Sequence, residues 1–108
     1  MPSLTEYAAF VSKMHATHLS QNDQILHSAL GVAGEAGEIA NRIKKHIFCG
    51  MPAAYAKDII EEAGDILFYL QWLLEAYGYT LADSLNNNVD KLKKRYPDGW
   101  VLGGGIRE

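Results

Sequence analysis

Two pairs of acids, Glu35 with Glu38 and Glu62 with Asp65, have the residue types and spacing for metal chemistry. Within each pair the acids are three residues apart, which on a helix puts both carboxylates on one face, their side-chain origins about 5–6 Å apart. Four carboxylates drawn together repel unless a cation sits among them or some stay protonated. An all-oxygen set suits a hard cation such as Mg²⁺ or Mn²⁺ and does not suit zinc. A di-iron bundle is the rival metal reading. It wants Glu-x-x-His on two helices, and no His follows any Glu at that spacing. The plain alternative is two ordinary acidic helix surfaces, because spacing alone does not set the pairs face to face.

A second set lies near the C-terminus. Asn88, Lys91 and Arg95 are spaced three and four and share a helix face. An amide and two cations on one stripe can hold phosphate oxygens, the guanidinium in a bidentate manner. Lys44 and Lys45, following the first acid pair, can add to that set. The plain alternative for lysines at a helix C-terminus is favourable interaction with the helix dipole. Gly31, Gly34 and Gly37 run beside the first acids at a spacing of three, and each costs about 1 kcal/mol against alanine in a helix interior. Close helix packing and room for a ligand both explain such a strip.

The elements that must position these residues are helices. No alternating strand pattern occurs, and four segments carry a 3.6-residue period. The first is expected over Leu4 to His18, capped by Ser3 with Glu6 completing a capping box. A polar connection follows, with Asn22 or Asp23 as the next N-cap. The second helix is expected from Gln24 to Phe48, with Leu26, Leu30, Ala33, Ala40, Ile43 and Ile47 on one face. Gly50 and Pro52 stop it. The third is expected from Ala53 to Tyr77 and carries two parallel stripes. One is aliphatic: Ile59, Ala63, Ile66, Leu70, Leu73 and Tyr77. The other mixes acids with aromatics: Asp58, Glu62, Asp65, Tyr69 and Trp72. A fourth helix is expected from Leu81 to Tyr96, then a turn at Pro97-Asp98-Gly99 and a flexible tail from about residue 101.

The chain's 108 residues suit one domain, and a 48% apolar content argues against disorder. A domain this small buries less than about 70% of its unfolded surface, so further stability from subunit association is expected. A net charge of −3 gives no sign of a nucleic-acid-binding face. The single cysteine, Cys49, permits no internal disulfide and points to a reducing compartment. It has no evident activating neighbour and is not expected to be a nucleophile. Met1 to Phe10 lacks the basic and apolar regions of a signal peptide, and no apolar stretch is long enough for a bilayer. A cytoplasmic location is the expectation. His15 and His18 lack an obvious third metal ligand, Trp72 and Trp100 read as packing residues, and Glu61 reads as a surface acid.

Three segments together resemble the MazG-like nucleotide pyrophosphohydrolases of the all-α NTP pyrophosphohydrolase superfamily. They are Gly34-Glu35-Ala36-Gly37-Glu38, then Glu61-Glu62-Ala63-Gly64-Asp65 continuing to Leu70, then Asn88-x-x-Lys91-Leu92-x-x-Arg95-Tyr96-Pro97. The similarity spans Leu26 to Trp100. It implies a four-helix bundle completed by association into a homodimer or homotetramer. It also implies hydrolysis of a (d)NTP between the α and β phosphates, giving the monophosphate and pyrophosphate. On matching positions, Glu35, Glu38, Glu62 and Asp65 would ligate Mg²⁺, with Glu38 or Glu35 also serving as general base. Lys91 and Arg95 would hold phosphate oxygens with Asn88 beside them, and His27 and Tyr69 would contact the nucleoside. Many relatives carry a further Glu where this chain has Gly34, which removes a neighbouring acid but none of the four. Hydrolysis of another nucleotide pyrophosphate such as an alarmone, and a non-catalytic helical assembly module, are the alternatives.

Overall fold

The computed structural model describes residues 1–15, 18–50, 55–100 and 102. They form four helices: α1 (Leu4–Met14), α2 (Gln21–Cys49), α3 (Tyr55–Ala76) and α4 (Leu81–Arg95). No strand occurs among the described residues, so the fold is all-α as expected. The expected tail lies outside them apart from Leu102.

The helix ends show which local signals acted. Ser3 and Glu6 form the capping box: Ser3 Oγ accepts the Glu6 N–H at 3.1 Å, and Glu6 Oε1 accepts the Ser3 N–H at 3.0 Å. α1 stops at Met14, earlier than the expected His18, and the His15 N–H closes its last turn on the Val11 carbonyl. The N-cap of α2 is Ser20, not Asn22 or Asp23. Ser20 Oγ accepts the Asp23 N–H at 3.1 Å, and this choice starts the helix three residues before the expected Gln24. α2 runs through its glycines without a break and ends at Gly50, whose φ of 68° is the left-handed cap that a residue without Cβ adopts freely. Thr80 and Asp83 cap α4 in the same reciprocal manner as Ser3 and Glu6.

α2 and α3 lie antiparallel and make the largest interface of the chain, with α1 and α4 packed on α3 and on each other. Gln71 ties α4 to α3. Its buried side chain accepts the Leu81 N–H at 2.9 Å, satisfying one of the donors that a helix start leaves open.

Burial runs against the aliphatic periodicity. Among the described residues of α3 the buried ones are Glu62, Gln71 and Trp72, and Glu62, Tyr69 and Trp72 of the acid–aromatic stripe meet α2. On α2 the aliphatic face lies outward, with Leu26, Leu30 and Ile47 each about 60% exposed. α4 likewise turns Leu85, Val89 and Leu92 to the surface. The apolar faces read from the period are therefore present, but the described residues leave much of them exposed. No helix among the described residues is long and apolar enough to cross a membrane.

Candidate metal centre

The antiparallel pairing brings the two acid motifs together. Glu35 on α2 and Glu62 and Asp65 on α3 each offer a carboxylate oxygen, and these oxygens lie within 4.8 Å of one another. Glu62 is buried, Glu35 half-buried and Asp65 exposed. Glu38 is exposed and stands outside that three-acid group, though its charge acts on Glu35. A hydrogen bond to Glu62, then burial, then the charges of Glu62, Asp65 and Glu38 push the Glu35 carboxyl up to about 7. Such a group holds a proton in place of a cation. The crowding, the all-oxygen donor set and the short oxygen separations together fit a hard divalent ion.

Two neighbours of this cluster are not among the residues singled out from the sequence. Arg42 on α2 donates to Glu62 Oε1 from Nη2 at 3.2 Å and from Nε at 3.4 Å, and its Nη1 pairs with Asp58 Oδ2 at 3.1 Å. Its position seven after Glu35 and four after Glu38 placed it on the acid stripe, which was the available clue. Tyr7 on α1 is the other. Burial and the nearby Asp65 charge raise its phenol above the usual range, so the first helix also borders the acids.

Further along α2 and α3, toward the end where α1 finishes, the interface turns aromatic. The Tyr69 ring lies flush on Gly31, where an added Cβ would stand 2.5 Å from ring carbons. That glycine serves close packing. Gly34 and Gly37 face open space, so the strip does not act as a unit. His27 meets Tyr69 edge-on at 6.0 Å and Trp72 at 4.9 Å, and His15 stacks flat on Trp72 at 4.8 Å. Trp72 Nε1 donates to Gln24 Oε1 at 3.0 Å, while His15 Nε2 and Glu75 Oε2 lie 2.5 Å apart. A cavity of about 280 Å³ opens there, lined by His15, Gln21, Gln24, Trp72, Glu75 and Ala76. Trp72 is a packing residue with a polar role as well. Trp100 is exposed, beside Val89, Leu92 and Tyr96 in a surface groove.

Among the described residues no ion pair or side-chain hydrogen bond joins the basic stripe to the acids. Asn88 and Lys91 are exposed and Arg95 is half-buried. Among the described residues none of the three makes a side-chain hydrogen bond or ion pair. Lys45 is exposed on the last turns of α2, and Cys49 is a free, exposed thiol.

The profile of the MazG nucleotide pyrophosphohydrolase domain matches residues 24–100, a span that holds both acid motifs and the basic stripe. The Gene 37 protein of Mycobacterium phage L5 is 33% identical over 79 residues, covering 70% of this chain and 69% of the phage protein. No solved structure matches the chain. On the profile match and the relative together, the chain belongs to the MazG nucleotide pyrophosphohydrolase family.

Proposed function

We propose that the chain hydrolyses nucleoside triphosphates between the α and β phosphates, releasing the monophosphate and pyrophosphate, with Mg²⁺ as cofactor and Mn²⁺ as a substitute. The observation that carries this reading is the convergence of Glu35, Glu62 and Asp65 within 4.8 Å in a chain of this family. A cation held there would supply charge neutralisation for the phosphates and help activate a water for attack. Glu35, Glu62 and Asp65 hold it. Glu38 completes the acid set from the rim, exposed and one turn from Glu35, free to accept a proton from the attacking water. Glu35 is the second candidate for that proton.

His27 and Tyr69 hold the nucleoside, in contact with each other and one turn or more beyond the acids. Asn88, Lys91 and Arg95, with Lys45, hold phosphate oxygens. Their freedom from side-chain partners among the described residues supports a site assembled between copies, in a homodimer or homotetramer. The exposed aliphatic faces of α2 and α4 are the surfaces that association would cover.

The test is a panel of canonical and modified dNTPs and NTPs, with an alarmone included, assayed with Mg²⁺ for pyrophosphate and monophosphate together. Monophosphate and pyrophosphate in equal amounts from at least one triphosphate is expected. No turnover of any compound at high enzyme concentration would refute the proposal. Turnover of the alarmone alone would keep the chemistry and replace the substrate.

A further inference from the structure

Glu62 is the most enclosed of the four acids, and Arg42 grips it from one side. Both guanidinium contacts, from Nη2 at 3.2 Å and Nε at 3.4 Å, fall on the same oxygen, Oε1. The remaining nitrogen, Nη1, is anchored on Asp58 Oδ2 at 3.1 Å. Helix geometry explains the reach. Glu35, Glu38 and Arg42 follow one another on α2 at spacings of three and four, and Asp58, Glu62 and Asp65 do so on α3 at four and three. Antiparallel packing then sets Arg42 opposite the Asp58–Glu62 turn and Glu35 opposite the Glu62–Asp65 turn. The guanidinium is a rigid planar fork, so engaging two acids one turn apart fixes the direction of each in a way that a point charge does not.

We propose that Arg42 is a positioning residue for the metal centre: anchored by Asp58, it holds Glu62 through Oε1 and presents Oε2 to a divalent cation shared with Glu35 and Asp65. This rests on the metal-dependent reading above. Charge and orientation make opposite demands, and that makes the role measurable. A cation beside the centre repels a divalent ion, so an Arg42 acting by charge alone weakens binding, and its removal tightens it. An Arg42 that orients a ligand strengthens binding, and its removal weakens it by the margin typical of residues that hold ligands in place, about 10- to 100-fold.

The experiment titrates Mn²⁺ into the full chain without nucleotide and reads free Mn²⁺ by electron paramagnetic resonance, well below the melting temperature of each variant. A merely structural loss lowers that melting temperature and leaves the Mn²⁺ Kd alone. Arg42→Met is expected to raise the Kd about tenfold. Arg42→Lys is expected to raise it nearly as much, because the ammonium keeps the charge and loses the fork. Asp58→Asn is expected to raise it less, since Arg42 still reaches Glu62. Binding by Arg42→Met as tight as wild type or tighter overturns the proposal, as does full rescue by lysine. Should Arg42→Met fail to fold, unchanged binding in both Arg42→Lys and Asp58→Asn overturns it. A wild-type chain that takes up no Mn²⁺ overturns the metal reading and this role with it, whereas wild-type binding that the variants preserve overturns the role alone.

Discussion

The two ends of the α2–α3 interface meet the same problem, polar groups between packed helices, in different ways. At the aromatic end the polar atoms are paired in kind, donor with acceptor. Trp72 donates to Gln24, Gln71 accepts from Leu81, and Glu75 pairs with His15. At the acid end Arg42 pairs with Asp58 and Glu62, and Glu35 turns to Glu62 for a hydrogen bond that needs a proton. One end is paired among the described residues, and the other leaves like charges crowded together. Stability should therefore reside at the first end and chemistry at the second.

The sharpest way to break that division is Asp65→Asn. It removes one crowded charge and keeps the shape, so pyrophosphate release is expected to fall about a hundredfold or more, some 2.7 kcal/mol of transition-state stabilisation. The melting temperature is expected to hold or rise, because a repulsion is relieved. A near-normal rate, or a collapse of the fold, would dissolve the distinction.

A substitution at the border of the aromatic end should do the reverse. Gly31→Ala drives a methyl group into the Tyr69 ring, at 2.5 Å, and overpacking of this kind is expected to cost about 1–3 kcal/mol in a urea titration. Gly34→Ala, one turn nearer the acids, meets open space and should gain up to about 1 kcal/mol from helix propensity. Equal shifts in the two variants would mean that the ends do not differ in packing.

The smallest effect is in pH. Glu35 is raised from 4.5 to about 7, so the folded chain binds this proton more tightly than the unfolded chain does. Its contribution is fully present below about pH 4.5 and is lost as pH rises through about 7. In chelator, wild type is expected to lose stability relative to Glu35→Gln across that window. A constant difference between the two would show that Glu35 titrates as an ordinary carboxylate.

Much of this was legible from spacing. The capping box at Ser3, the stop at Gly50 and the acid–aromatic stripe on α3 all rest on local patterns, and local patterns survive into the fold. The start of α2 was misplaced although Ser20 and Asp23 carry a capping spacing, because Asn22 and Asp23 competed as caps by composition. The outward turn of Leu26, Leu30 and Ile47 was not legible at all: a period identifies a face and does not say what covers it. The Arg42 bridge spans twenty residues and the His15–Glu75 pair sixty. Contacts of that range depend on how helices are placed, which no window along the chain records.

One consequence of the α3 stripe concerns length. Asp65 and Trp72 are seven residues apart on an uninterrupted helix, which fixes them about 10 Å from each other along its axis. A helix does not stretch to suit a guest, so α3 acts as a ruler. It holds the exposed carboxylate and the buried indole at a fixed spacing. One residue inserted between them would lengthen the ruler by about 1.5 Å and swing the indole about 100° around the axis, off the α2-facing side. Seven inserted residues would keep the face and roughly double the measure, so the spacing between acids and aromatics is one that a change in α3 alone would rewrite.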